Sequence, residues 1–234
     1  MHQTVLTITL ATGNAHKVSE LTALLQTHQR PDDPVQIQLA LPDAQALAQL
    51  SQVPEDAETF MGNARQKALV LSQNTDSGYV LAEDSGLVIP ALSGYAGMCD
   101  FPGVRSNRWL SQAQRKEILG LDGDQPVDQA QKNQAILTLM SDQADRRAHY
   151  CCAMVLVSGG QCVFEAEGQM PLLLIELGEQ PRGSAGFGYD PIMCPVGKSE
   201  TVAEMSPHKK NALSHRFKAF LSVISYLKAA ETAR

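Results

Sequence analysis

Two β-rich runs, Ala148 to Val157 and Gln161 to Ala166, are separated only by Ser158-Gly159-Gly160, and no other stretch constrains the fold as tightly. Glycine tolerates the left-handed backbone that a tight turn between neighbouring strands requires, so this segment reads as a β-hairpin with antiparallel strands. Near the start the pattern is different. Val5 to Leu10 is an apolar β-rich run, followed by the polar loop Ala11 to Lys17 and then by Val18, Leu21, Leu24 and Leu25 at helical spacing. Strand, loop and helix in that order make a βα unit, whose strands lie parallel. Both kinds of pairing in one chain predict an α/β fold with a mixed sheet flanked by helices, rather than a purely doubly wound one.

The remaining punctuation fits that class. Residues 29 to 36 read as a surface loop rich in Pro and Asp, and Val35 to Leu41 as a short strand. Phe60, Ala64, Ala68 and Leu71 recur about every 3.6 residues, which predicts a helix over about Thr59 to Ser72. Asn74 to Gly78 is a turn into the strand Val80-Leu81-Ala82-Glu83-Asp84-Ser85-Gly86-Leu87, which Val88 and Ile89 continue until Pro90 stops it. Gly94, Gly97, Pro102 and Gly103 mark a long irregular segment, and Gln129 to Met140 a helix. Ser206 as cap and Pro207 at the first helical position begin one closing helix that carries Leu213, Phe217, Phe220, Leu221, Ile224 and Leu227. With 44% hydrophobic residues, the chain of 234 can bury a core along its whole length. Residues 1–234 are therefore expected to form a single domain, or two closely joined lobes.

The formal net charge of -6 argues against a broad positive face for a nucleic-acid polymer. One Trp, five Tyr and six Phe leave little material for a base-stacking platform. An anionic ligand must be met locally, which favours a small phosphorylated molecule in a pocket. No apolar run approaches the length of a membrane span, and residues 1 to 12 lack the basic start and cleavage site of a secretory signal. The expected location is cytoplasmic, with no membrane partner. Cys99, Cys151, Cys152, Cys162 and Cys194 are odd in number and form no CxxC pair, so buried reduced thiols are expected.

Two adjacent carboxylates and a hydroxyl end the apolar run at Glu83-Asp84-Ser85. Gly86 permits a turn there, which would set Asp84 and Ser85 at the strand's mouth, where a hard cation with oxygen ligands can be held. That composition suits a magnesium polyphosphate centre, and an ordinary solvated turn uses the same residues. Thr12-Gly13-Asn14 precedes a helix N-terminus, whose N–H groups and dipole suit phosphate, with Thr12 and Asn14 as donors and Lys17 as charge. A plain helix cap accounts for the same three residues. Asn63 and Lys67, four apart, share a helix face beside the packed stripe, free to reach a ligand or solvent. Gly183 to Pro191 sets three glycines around Phe187 and Tyr189 with Asp190, which suits a nucleobase pocket and also a glycine-rich hairpin tip. On one straight closing helix Lys210 and His215 would stand about 140° apart, so they cannot aim at one spot without the reach of the lysine stem. His215 and Arg216 would donate hydrogen bonds, accepting a 6-oxo purine and repelling the amino group of adenine.

Taken together, the chain closely resembles the inosine triphosphate pyrophosphatase family, also called dITP/XTP pyrophosphatases. Five blocks match in order: Thr12-Gly13-Asn14 with Lys17 and Glu20; Thr59-Phe60 with Asn63-Ala64 and Lys67-Ala68; Glu83 to Leu87; Gly186 to Ile192; and Ala203 to Ser206 running on to Lys210 and Ser214-His215-Arg216. The resemblance implies hydrolysis of ITP, dITP and XTP to the monophosphate and pyrophosphate, with Mg²⁺, in a homodimer whose subunits have an elongated mixed sheet and two lobes around a central cleft. It implies Asp84 as general base and metal-linked acid with Lys67 as its catalytic partner, and Glu55 and Glu83 as further acids at the metal. Thr12, Gly13, Asn14, Lys17, Asn63, Lys67 and Ser85 fall on the phosphate side, and Phe187, Gly188, Tyr189, Asp190, Lys210, His215 and Arg216 on the base and sugar side. The chain departs from the family pattern at Gly62, where a glutamate is usual, at Glu83 and Pro90, where aspartates are usual, and in the stretched segment Gly94 to Gly103. A nucleotide sensor with little turnover, or a pyrophosphatase shifted toward ordinary or pyrimidine nucleotides, are the readings those departures leave open.

Overall fold

A computed structural model describes residues 3–73, 78–123 and 125–232. Of the turn read at Asn74 to Gly78, residues 74–77 lie outside the described residues. The elements run β1 (Thr4–Leu10), α1 (Ala15–His28), β2 (Val35–Ala40), α2 (Ala44–Leu50), α3 (Phe60–Ser72), β3 (Tyr79–Val88), α4 (Gln112–Leu119), α5 (Gln129–Leu139), β4 (Arg147–Ser158), β5 (Gln161–Leu174), β6 (Met193–Pro195), α6 (Pro207–Leu213) and α7 (His215–Thr232). Among the described residues six strands form one sheet in the order β2-β1-β3-β4-β5-β6. β1 pairs parallel with β2 and with β3, whereas β5 and β6 pair antiparallel. Gly159 and Gly160 turn the β4–β5 hairpin with φ of 58° and 76°, the doubly left-handed backbone that suits a two-residue loop. The sheet is mixed and the fold α/β, as the hairpin and the βα unit require. Among the described residues no helix is long and apolar enough to cross a membrane.

The chain divides into two compact units, the first comprising Met1–Ser85, Cys151–Gln169 and Leu213–Arg234, the second Gly86–Tyr150 and Met170–Ala212. In the first unit, side chains alternate across the strands with a period of two. Ile8, Leu10, Leu81, Met154 and Leu156 pack with Leu21, Leu24 and Leu25 of α1 and Phe220, Val223 and Leu227 of α7. Val80, Ala82, Val155 and Val157 pack instead with Ala46 of α2 and Ala64, Ala68 and Leu71 of α3. Each buried Leu or Phe contributes about 1.5–3 kcal/mol, so each face is held by its own cluster. The same alternation sorts the two acids of β3: Glu83 continues the row of Leu81, and Asp84 the row of Ala82.

The second unit is organised around an aromatic ladder. Tyr95 meets Phe101 edge-on at 4.9 Å between ring centroids, and Phe101 meets Trp109 in the same way at 4.9 Å. Two of these rings come from the stretched segment Gly94 to Gly103, which is folded into short 3-10 turns at Tyr95–Gly97 and Gly103–Arg105.

Several expectations are corrected. β3 runs unbroken through Gly86, so the carboxylates stand within a strand and not at a turn. The closing helix is two helices, broken at Ser214. β5 extends to Leu174, and two further helices, α2 and α4, begin at the side-chain caps Asp43 and Ser111. Cys151, Cys152 and Cys194 are buried as expected, but Cys99 and Cys162 are exposed.

Candidate active site

The first unit carries two polar clusters, one on each side of β3. On the α3 side, Asn63 and Lys67 lie one helical turn apart and both reach Asp84. Asn63 donates from Nδ2 to Asp84 Oδ2 at 2.9 Å, and Lys67 Nζ lies 3.4 Å from Asp84 Oδ1 and 3.1 Å from Glu55 Oε1. Of the two readings that the helical spacing left open, ligand or solvent, the solvated one does not hold: Asn63 is 1% exposed and Lys67 9%. Asn63 also accepts from the backbone N–H of Ala57 at 3.0 Å, which holds the segment carrying Glu55 against the first turn of α3. Gly62 is needed for that close approach, because a Cβ there would sit 2.7 Å from the Ala57 methyl. The chain therefore lacks a side chain at position 62 where Ala57 now packs, and keeps Glu55 at Lys67.

One ammonium between two carboxylates gives this trio a net negative charge. Mg²⁺ is commonly held by one or two carboxylates with phosphate oxygens and water completing the shell, and the donor set of Asp84 and Glu55 fits that demand. Among the described residues no group of three or more His, Cys, Asp or Glu side chains could hold a metal ion alone. A cation here would depend on oxygens from its ligand.

On the other side of β3 stands Glu83. Arg216 Nε donates to both carboxylate oxygens at 3.1 and 2.9 Å, Lys17 Nζ lies at 3.2 Å, and Cys152 Sγ donates at 3.1 Å. Burial alone would raise the Glu83 pKa, but Arg216 and Lys17 outweigh it and hold the carboxyl well below its ordinary range. Burial, reinforced by Glu83, pushes the Cys152 thiol well up, so it is a donor and not a nucleophile. Arg216 also reaches Glu20 and donates to Ser85 Oγ at 3.1 Å. Glu83, expected as a third metal acid, thus faces away from Asp84 and Glu55. Arg216, expected at the base, has its guanidinium in this network, with 1% of the residue exposed.

The loop before α1 is a cap in detail. Asn14 Oδ1 accepts from the N–H groups of His16 and Lys17 at 3.0 and 3.3 Å, and Thr12 Oγ1 accepts from Asn14 N at 3.1 Å. Thr12, Gly13 and Asn14 therefore shape the turn that sends Lys17 toward Glu83. His215 opens α7, where Ser214 Oγ accepts from Phe217 N at 3.0 Å and caps the new helix. The break removes the constraint of a single helix axis on Lys210 and His215. They belong to different units.

Phe187, Gly188, Tyr189, Asp190 and Lys210 all fall in the second unit. Asp190 is their hub: Oδ2 accepts from Phe187 N at 2.9 Å and from Lys210 Nζ at 3.1 Å, and Oδ1 accepts from the Tyr150 hydroxyl at 2.9 Å. Gly186, at φ +79°, has no room for a Cβ because the Asp190 carboxylate occupies the space. Lys210 Nζ lies 4.6 Å from the centroid of the Phe187 ring, a cation–π distance, and Phe187 is 40% exposed. Tyr189 is different. It is buried, its hydroxyl accepting from Trp109 Nε1 at 2.9 Å and donating to the Ser106 carbonyl. Gly188 is held through its carbonyl by Asn133 Nδ2 at 3.3 Å. Sequence reasoning alone misses Tyr150, Asn133 and Trp109, whose polar tips meet this loop. For Tyr150 and Asn133 the available signal is a polar atom on a strand or helix, and Trp109 lies in a loop without one.

The model of the Ham1 family matches residues 8–226. The chain belongs to the Ham1 family. This is the family to which the five ordered blocks point. A dITP/XTP pyrophosphatase of Opitutus terrae is 34% identical over 223 residues, covering 93% of this chain and 96% of that protein. A dITP/XTP pyrophosphatase of Streptomyces coelicolor is 38% identical over 217 residues, covering 92% and 94%. Among solved structures, a HAM1 protein from Coxiella burnetii superimposes with a TM-score of 0.70 at 28% identity, covering 98% of this chain and 100% of its own. Likeness on this scale to a Ham1 structure agrees with the mixed sheet and its helices.

Proposed function

We propose that this Ham1 chain is a Mg²⁺-dependent pyrophosphohydrolase that converts ITP, dITP and XTP to the nucleoside monophosphate and pyrophosphate, clearing them from the cytoplasmic nucleotide pool. The observation that carries the reading is Asp84, fixed by Asn63 on one oxygen and by Lys67 on the other, with Glu55 sharing the same ammonium. The relatives from Opitutus terrae and Streptomyces coelicolor are dITP/XTP pyrophosphatases, which supports the substrate class.

A triphosphate carries about four negative charges, so cleavage at the α-phosphorus needs positive charge where the pyrophosphate leaves. Mg²⁺, held through Asp84 and Glu55, supplies Lewis acidity and charge neutralisation when bound. Lys67 donates toward the phosphates from a stem already fixed by burial. Asp84, held by Asn63 and Lys67, orients or deprotonates the attacking water. Lys17 and the Thr12-Gly13-Asn14 turn contribute on the phosphate side, with Ser85 set by Arg216. In the second unit, the exposed face of Phe187 takes the purine ring and Lys210 donates to its 6-oxo group, a donor that the amino group of adenine cannot accept. A homodimer is the assembly proposed with this activity.

The test is a panel of ITP, dITP, XTP, ATP and GTP with Mg²⁺, read as pyrophosphate released, for the natural protein and for Asp84→Asn. Release from ITP, dITP and XTP well above that from ATP, lost in the variant, is the expected result. Gly62 is the feature that favours a sensor instead, and tight ITP binding without release would establish that reading. Equal rates on ATP would remove the role given to Lys210.

A further inference from the structure

We propose that Tyr150 is a positioning residue for the purine-binding loop, acting through Asp190. The inference rests on the reading of Phe187 and Lys210 as the base side and adds a residue to it. Tyr150 ends the second unit's share of β4, and its hydroxyl donates to Asp190 Oδ1 at 2.9 Å. Asp190 is 3% exposed, so its carboxylate is an anchor and its orientation matters. With Oδ1 held from the strand, Oδ2 is presented to Phe187 N–H and to Lys210, which lie 2.9 and 3.1 Å away. The backbone N–H of Phe187 sets where its ring stands, and the lysine lies over that ring.

One strand hydroxyl thereby fixes the plane of a carboxylate that in turn fixes both the flat face and the cation. Burial, then the neighbouring Asp190 carboxylate, keep the phenol well above its ordinary pKa, so it stays a donor throughout the working pH range. Without this hydroxyl the carboxylate loses the bond that sets its plane from the strand, and Oδ1 loses a donor inside the protein. Phe187 and Lys210 would then be held by an oxygen whose carboxylate is anchored on one side only. The consequence falls on ring recognition, because the groups that share Asp190 with Tyr150 are the Phe187 N–H and Lys210.

The experiment compares the natural protein, Tyr150→Phe, Asp190→Asn and the double variant in steady-state ITP and ATP hydrolysis, with ITP binding measured by calorimetry without Mg²⁺. Tyr150→Phe is expected to raise KM for ITP about tenfold, with kcat changed less than about twofold, and to weaken ITP binding equally. Tyr150→Phe added to Asp190→Asn is expected to change ITP binding no further, because the proposed route to the ring runs through that carboxylate. Thermal unfolding of each variant separates a folding defect from this effect: a purely structural tyrosine would lower the melting temperature and leave KM and the cycle additive. Unchanged KM, or additive losses in the double variant, overturn the role of Tyr150. Failure of the natural protein to release pyrophosphate, with ITP binding still weakened by Tyr150→Phe, overturns the hydrolase reading alone. Absence of both turnover and binding overturns the two together.

Discussion

Two buried lysines each meet an aspartate, and the surroundings of the two pairs differ in kind. Lys67 is shared between Asp84 and Glu55, and Glu55 keeps 40% of its side chain exposed. Lys210 has Asp190 at 3.1 Å and the ring of Phe187 beneath it, and Asp190 keeps only 4% of its side chain exposed. The first set carries a net negative charge and has an open side, which is what a hydrated divalent cation with its own anionic ligand requires. The second is balanced and faced by an aromatic ring, which suits an uncharged flat ligand with an acceptor at its edge. The lesson is that the same two residue types make chemically different surroundings, which the proposed function assigns to polyphosphate and base, according to charge balance and the neighbouring ring.

The comparison breaks most readily at Asp84. Asp84→Asn keeps the hydrogen bond to Asn63 within reach but removes the charge, and pyrophosphate release from ITP is expected to fall about 10³-fold. Activity within tenfold of the natural protein would show that the net negative charge around Lys67 is not catalytic. Glu83→Gln sharpens the contrast across the strand. It leaves Arg216 buried without its main carboxylate, and breaking a buried pair in that way costs about 3–5 kcal/mol. Chemical denaturation is expected to show that loss in stability. A variant as stable as the natural protein, with activity abolished, would return Glu83 to the metal.

Lys67→Met comes next, keeping the apolar stem and removing the ammonium. kcat is expected to fall about 10²-fold, the scale of one preorganised donor lost from a transition-state site. Asp84 and Glu55 then no longer share an ammonium, so the melting temperature should respond more strongly to added Mg²⁺ than that of the natural protein. An unchanged Mg²⁺ response would separate Glu55 and Asp84 from the metal.

Much of this contrast is legible in the amino-acid order. The βα start, the helix over 60–72 and the hairpin emerge from periodicity and two glycines, because each is decided by local backbone preference. The two-sided placement of Glu83 and Asp84 is also available, since adjacent strand residues point to opposite faces, but reading Gly86 as a turn hides it. A glycine within a strand does not force a turn when its neighbours are buried and paired. The break at Ser214 has a signal in a serine preceding His215, Arg216 and Phe217, outweighed by the continuing apolar stripe from Leu213 to Leu227. The pairing of Glu83 with Arg216 spans 133 residues and no local pattern encodes it. The same holds for Tyr150 with Asp190, 40 residues apart.

The smallest expected effect is the most informative about the second lysine. Lys210→Met retains the stem over Phe187 and deletes the donor, so the ring still has its apolar face while Asp190 loses its cation. Since the proposed function puts catalysis at Asp84, kcat for ITP should stay within about twofold while KM rises about tenfold, the value of one hydrogen bond with a charged donor. ATP, whose amino group the lysine repels, should lose nothing and can gain. The ITP-to-ATP ratio of kcat/KM therefore contracts, chiefly through the rise in KM for ITP. A fall in kcat comparable to that of Lys67→Met would mean that the two lysines share the phosphates, and charge balance would no longer tell a polyphosphate site from a base site in this chain.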